Sequence, residues 1–314
     1  MKTVERKKNQ IKKVGIITLY YNNDNYGGIA QAYALNEYIR QLGMDSELIS
    51  YKRSPVLARG TKERVKKDGI YQVLLEKLEC FPQKLYYRII NRRAQEKYGE
   101  KIADKLIARK QAFEESREKI PHSEVVTENT IAEKLGNMYD WYVSGSDQIW
   151  KPGVLQKPYL FMFLDNSKKR FSYASSIAVT EFPKEYGITM TEGLENYEWI
   201  SVREESAKQY LESLLDRTVD VVVDPTLLLT KEDWNKITSE RQIDEKYLFA
   251  YFLGDSLQQR KKVKEFARKN SLKIVTLPHV EGKVRAADID FGDIELYDVD
   301  LTKFFSLIKY ADYV

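Results

Sequence analysis

Hydrophobic and polar positions first fall into register between Val14 and Gly43. Val14 to Tyr20 is a short, largely β-branched and aromatic run with little polar alternation, the pattern of a strand buried on both faces. Asn22, Asn23, Asp24, Asn25, Gly27 and Gly28 then supply turn-forming residues. From Ile29 the apolar positions change to helical spacing. Ala32, Leu35, Ile39 and Leu42 continue the stripe, Gln31, Asn36, Glu37 and Arg40 fall largely between them, and Gly43 sits where a C-cap belongs. This predicts the opening βα unit of a parallel sheet, with Ser46–Tyr51 as its next strand after a right-handed crossover.

The alternation then changes. Between residues 62 and 119 apolar residues recur at helical spacing in a strongly charged background, which predicts a helical insertion in the first domain, broken into two helices at Pro82. Trp141–Val143 returns to strand pattern and delivers a second glycine-containing loop, Ser144–Asp147. Arg170–Ser175, Trp199–Arg203 and Asp220–Val223 predict three further strands, with a helix starting at Glu204 and a stop at Asp224-Pro225. Residues 226–245 lack a strand pattern and read as a connection. A second α/β alternation follows, with strands at Tyr247–Leu253 and Lys273–Leu277 and helices at Ser256–Asn270 and Leu301–Tyr310. Another strand begins at Ala311–Val314. The expected fold class is therefore α/β, a first Rossmann-like domain over residues 1–225 and a second, apparently incomplete one over 246–314.

Composition narrows the function classes. A chain of 314 residues with 43% hydrophobic content buries a full core. With 51 Lys+Arg against 47 Asp+Glu the net charge is only +4, too small to argue for nucleic acid. Local basic clusters occur at Lys2–Lys13 and at Arg88, Arg92 and Arg93. Solvated faces account for them most simply, and peripheral contact with an anionic membrane is the competing account. Cys80 is the only cysteine and His122 and His279 the only histidines, which excludes an internal disulfide and a Cys/His metal centre and fits a reducing, cytoplasmic setting.

Candidate chemistry collects at the loops that follow strands, because ligands of open parallel sheets bind beyond the C-terminal strand ends. Asn25, Gly27 and Gly28 precede or open a helix, where backbone N–H groups and the dipole favour an anion; a tight turn alone explains the same residues equally well. Ser144 and Ser146 carry donors, and Asp147 suits either a sugar hydroxyl or a local cap. Arg203 lies at a strand end, where a guanidinium holds a carboxylate or phosphate through two parallel hydrogen bonds, unless it pairs with Glu204, Glu205 or Asp224 instead. His279 follows a strand and is a weaker candidate for ligand contact.

Six segments in register, NNDNYGGIAQAYALNEYI, VSGSDQIW, SYASSI, SVREESAKQYL, VVVDPTLLL and FSLIKYADYV, resemble the polysaccharide pyruvyl transferase family. The resemblance implies two Rossmann-like halves similar to the GT-B glycosyltransferases, with the active site between them. It also implies phosphoenolpyruvate as donor and a glycan or lipid-linked sugar as acceptor, giving a pyruvate ketal on a cell-surface glycan; no metal or cofactor is expected. Arg203 matches the family's strand-end arginine. The family's Asp-Ser-Phe-His-Gly donor segment follows an Ala-Asp-Tyr-Val strand, whereas this sequence stops at Val314. On that ground the chain alone is expected to bind donor poorly and to form no ketal. A non-catalytic glycan- or nucleotide-sugar-binding relative and a GT-B-like glycosyltransferase are the competing readings.

Overall fold

The computed structural model describes residues 11–54, 85–180, 182–278 and 285–314. It divides into two compact units, Met1–Leu57 with Arg117–Glu232 and Ala58–Ser116 with Asp233–Val314. Each unit carries its own parallel sheet.

In the first unit β1 (Lys13–Ile17), β2 (Asp45–Leu48), β3 (Trp141–Ser144), β4 (Lys169–Ser172) and β5 (Tyr197–Trp199) form one sheet in the order β2-β1-β3-β4-β5, every pair parallel. Isolated parallel bridges lengthen it. Leu48 pairs with His122 and Tyr51 with Val126, so residues 122–126 lie outside β2. Ser175 pairs with Val202, which joins β6 (Ser201–Val202) and its partner β7 (Asp220–Val221) to the other edge. In chain order the sheet therefore runs third, second, first, fourth and onward, the doubly wound arrangement in which the direction of winding reverses between β1 and β3.

β1 ends at Ile17, three residues before the apolar run does, because Thr18 turns its hydroxyl onto the Ser146 carbonyl at 2.7 Å. The expected strand Trp199–Arg203 is split into β5 and β6. The side chains of Ser172 and Ser201 bridge the gap, the Ser172 hydroxyl donating to the Ser201 carbonyl (3.0 Å) and the Ser201 hydroxyl to the Ser172 carbonyl (2.8 Å).

The first helix, Tyr26–Gln41, begins earlier than its stripe suggests, so Gly27 and Gly28 occupy its first turn. It ends as expected. Gly43 has φ +84°, with Gly43 N–H on the Arg40 carbonyl and Met44 N–H on that of Ile39, the double closure of a Schellman motif. Gln31 and Asn36, which fall between the apolar positions, are nonetheless buried, Asn36 accepting from the Ser46 hydroxyl at 2.9 Å.

In the second unit β8 (Tyr247–Ala250), β9 (Lys273–Thr276) and β10 (Ile294–Glu295) form a parallel sheet in the order β10-β9-β8. Tyr313 pairs with Leu248 on the free side of β8, its carbonyl accepting from Phe249 N–H at 2.8 Å. The order is again third, second, first, fourth. The two strands expected here and the one beginning at Ala311 thus account for three of four rows, the fourth, β10, having been too short to read from pattern.

The charged helical stretch is read from the sequence as an insertion in the first domain. In the structure its described part lies in the second unit up to Ser116. Asn91 accepts from Ala286 N–H at 2.8 Å, Ser116 from Leu301 N–H at 2.8 Å, and Lys105 sits 5.1 Å over the Tyr297 ring. An amphipathic stripe tells which face of a helix is buried, not which core receives it. Among the described residues the helical stretch is interrupted by a 3-10 turn, Glu100–Ile102, between helical residues 85–98 and Ala103–Glu118; Pro82 lies outside them. Residues 226–245 also contain a helix, Lys231–Ile237.

Candidate active site at a sheet edge of the first unit

Because every strand of the first sheet is parallel, the residues after β1, β3, β4, β6 and β7 emerge at one edge. Polar side chains from all five loops meet there. The Arg203 Nη1 donates to Asp224 Oδ2 at 2.6 Å and, at 3.5 Å, to the Ser146 hydroxyl, which is 3.4 Å from the same Asp224 oxygen. Arg203 Nε lies 3.8 Å from Glu204 Oε1, to which the Ser176 hydroxyl donates. Asp147 accepts from Gln148 N–H at 2.8 Å, and its carbonyl accepts from Ser176 N–H at 2.9 Å. From the helix side, Gln31 Nε2 donates to Thr18 Oγ1 at 3.0 Å and to the Gly28 carbonyl at 2.7 Å, and the Thr18 hydroxyl in turn donates to the Ser146 carbonyl, tying the first loop to the loop after β3.

Backbone strain collects at the same edge. Asn22, Asp147, Ala174 and Ala178 have φ of 52°, 69°, 52° and 56°. Asn and Asp tolerate this region, but for alanine it costs about 1 kcal/mol or more per residue, a reserve that sites hold more often than scaffolds do. Two acceptors here, Gln31 Oε1 and Glu204 Oε2, are buried with no hydrogen-bond partner among the described residues. Such atoms are uncommon and mark places where a ligand donor or water fits.

The two carboxyls titrate in opposite directions. Burial pushes Asp147 above the ordinary aspartate value and the Asp224 charge adds to this, against Gln148 N–H and the Arg203 charge. At Asp224 burial pulls upward as well, but the N–H and hydroxyl of Thr226 and the Arg203 guanidinium outweigh it and hold the carboxyl below its usual value.

The structure separates the expected site residues. Arg203, Ser146 and Asp147 come together. Ser144 does not join them: its buried hydroxyl donates to the Tyr159 carbonyl at 2.7 Å and takes the Tyr197 hydroxyl at 2.8 Å, which leaves no donor for a ligand. Asn25 is the N-cap of the first helix, its Oδ1 accepting from Gly28 N–H at 3.2 Å. A Cβ at Gly28 would stand 2.6 Å from Asn23 Nδ2 and 3.2 Å from the Leu19 carbonyl oxygen, so close packing of the turn accounts for this glycine, while Gly27 is exposed. His279 lies outside the described residues. Thr18, Gln31 and Ser176 were not read from the sequence, although Thr18, a polar residue inside an apolar run, was visible there.

The family model described as polysaccharide pyruvyl transferase matches residues 25–314. The chain belongs to the polysaccharide pyruvyl transferase family. No curated protein matches it. Among solved structures it is similar to a UDP-N-acetylglucosamine 2-epimerase from Rickettsia bellii, with TM-score 0.43 and 11% identity over 96% of this chain and 72% of that one. It is similar too to S. aureus MnaA in a co-structure with UDP (0.43, 12%, 96% and 73%). A UDP-GlcNAc 2-epimerase from Methanocaldococcus jannaschii gives 0.43 and 10% over 96% and 77%. Likeness at this level carries no argument about activity; the α/β character rests on the strand order above. The family is one of transferases. Among the described residues no group of three His, Cys, Asp or Glu side chains could hold a metal ion, and no helix is long and apolar enough to cross a membrane.

Proposed function

We propose that this protein transfers the pyruvyl unit of phosphoenolpyruvate to two hydroxyls of a glycan sugar, forming a ketal, and that the edge cluster of the first unit holds the donor. Family membership over residues 25–314 carries the reaction class. What supports the placement is the state of Arg203. Its Nη1 is engaged by Asp224 and Ser146, while Nη2 makes no hydrogen bond among the described residues and the side chain is 29% exposed, leaving N–H groups for a donor carboxylate or phosphate.

The reaction needs a sugar oxygen to bond to the phosphate-bearing carbon, a proton to reach the neighbouring enol carbon, and phosphate to depart as the second hydroxyl closes the ketal. Of the two hydroxyl protons released, one balances the proton taken up by carbon and the other leaves with the phosphate. Asp147 is the side chain we assign to proton delivery, since a carboxyl pushed up by burial keeps its proton closer to neutral pH than an ordinary aspartate. Gln31 Oε1 and Glu204 Oε2 are the acceptors that orient a hydroxyl beside it.

The deciding experiment follows inorganic phosphate. The protein as its cell makes it should release phosphate from phosphoenolpyruvate only when a glycan acceptor is present. Release of nucleoside diphosphate from nucleotide-sugars instead would make it a glycosyltransferase, and binding without turnover of either would make it a glycan-binding relative.

A further inference from the structure

A cavity of about 250 Å³ opens in the first unit on the other side of the winding reversal, after β1 and β2 and against residues 122–125. Tyr20 and Ser50 form its floor, their hydroxyls 2.6 Å apart, and Tyr21, Arg117, Glu118 and His122 stand around it. It shares no residue with the Arg203 cluster.

The cations of this cavity are already paired with carboxylates, and the Arg117 side chain is only 9% exposed against 29% for Arg203. Arg117 donates to Asp24 Oδ1 at 2.9 Å and to the Asn23 carbonyl at 3.2 Å, and Lys134 is paired with Glu124 on the rim. An anionic ligand would therefore meet Glu118 and Glu124 with little positive charge left to receive it. The cavity instead presents acceptors. His122 Nδ1 lies 2.7 Å from the Ile120 carbonyl, so in the neutral ring Nδ1 carries the proton and Nε2 is the free acceptor. Nε2 lies 3.7 Å from Glu118 Oε2. Two acceptors at that spacing with no donor between them suit a pair of neighbouring hydroxyls, one donating to each, and the partly buried Tyr21 ring lines the cavity as an apolar face for the C–H side of a sugar.

We propose that this cavity is a binding site for a pyranose diol, with His122 and Glu118 each accepting one of two neighbouring hydroxyls. That the bound sugar belongs to the glycan acceptor, held here by hydroxyls other than the two that react beside Asp147, rests on the reading above; that a sugar binds here does not. Ligand-observed saturation-transfer NMR, without phosphoenolpyruvate, tests it on the whole protein. The probes are methyl glucopyranoside, galactopyranoside and mannopyranoside, with tetrahydropyran-2-methanol as a ring of one hydroxyl. At least one glycoside should give a saturable signal that the single-hydroxyl ring does not. His122→Leu and Glu118→Ala should each weaken that binding about fivefold or more, in line with loss of a hydrogen bond of about 1 kcal/mol. Glu118 is 74% exposed at its side chain, so its variant keeps its fold even if the His122 variant loses thermal stability. Absence of binding by all three glycosides, equal binding by the one-hydroxyl ring, or unchanged affinity in Glu118→Ala would each overturn the proposal. Failure of phosphate release with intact glycoside binding would overturn only the transfer reading.

Discussion

Arg203–Asp224 in the first unit and Arg260–Asp288 in the second are the same pair of chemical groups in different settings. Arg260 and Asp288 have side chains 3% and 8% exposed and meet at 2.5 Å. Arg260 Nη1 also donates to the carbonyls of Gly254 (2.8 Å) and Ser256 (3.2 Å), and its guanidinium lies 4.8 Å and 5.5 Å from the ring centres of Phe252 and Phe291. Arg203 and Asp224 are 29% and 24% exposed and meet at 2.6 Å with Nη2 still open. Burial fixes the first pair as part of the helix Leu257–Lys269 and its packing. Partial exposure leaves the second able to trade or add an anion. What separates the two arginines is therefore how many of their N–H groups are already taken and how far each is buried.

The largest effect should fall on the buried pair. Arg260→Ala or Asp288→Ala leaves an uncompensated buried group, and urea unfolding should show a loss of about 3–5 kcal/mol in the transition of the second unit. Removing both with Arg260→Met and Asp288→Leu should recover most of it. Arg203→Ala should lose about 1 kcal/mol or less, since its pair is partly solvated. Equal losses for the two arginines would erase the comparison.

Gly28→Val comes next, and is a structural change rather than a binding one. Its Cβ would press on Asn23 and on the Leu19 carbonyl, so denaturation should report about 1–3 kcal/mol of overpacking. Reduced anion binding at unchanged stability would return the glycine pair to the site.

A third and smaller effect is the pH dependence of the edge cluster. Asp224 has its folded value lowered, so the stability it contributes is present above the unfolded value of about 3.9 and is lost as pH falls through the folded one. Asp147 has its folded value raised, so its contribution is present below about 3.9 and is lost as pH rises through the folded value. Melting temperature against pH should therefore flatten on the high side in Asp147→Asn, a residue that also tolerates φ of 69°, and on the low side in Asp224→Asn. If Asp147 delivers the proton, Asp147→Asn should be the more stable and the less active protein.

Much of this was legible from residue pattern. The opening βα unit, its glycine cap and the strand-end loops follow from periodicity and turn chemistry, and Arg203 with Asp147 follows from where those loops end. Three things were not legible, for physical reasons. The assignment of the helical stretch to the second unit depends on which core receives its stripe. β10 is two residues long, too short for a period of two to show. The roles of Ser144, Gln31 and Arg260 are set by tertiary partners far away in sequence, so a serine expected at the edge turns inward, while a polar glutamine and a helix arginine are buried.

The central claim is that Arg203 holds the donor's anionic group. Its most direct measurement compares phosphate release from phosphoenolpyruvate by the natural protein and by Arg203→Lys, with melting temperature taken on the same samples. A lysine keeps the charge and loses the planar fork, so kcat/KM should fall about tenfold or more, the equivalent of about 1.4 kcal/mol, at a melting temperature essentially unchanged. Turnover within about twofold of the parent at equal stability would contradict it, because a paired charge-assisted contact of about 1.5–3 kcal/mol cannot be lost so quietly.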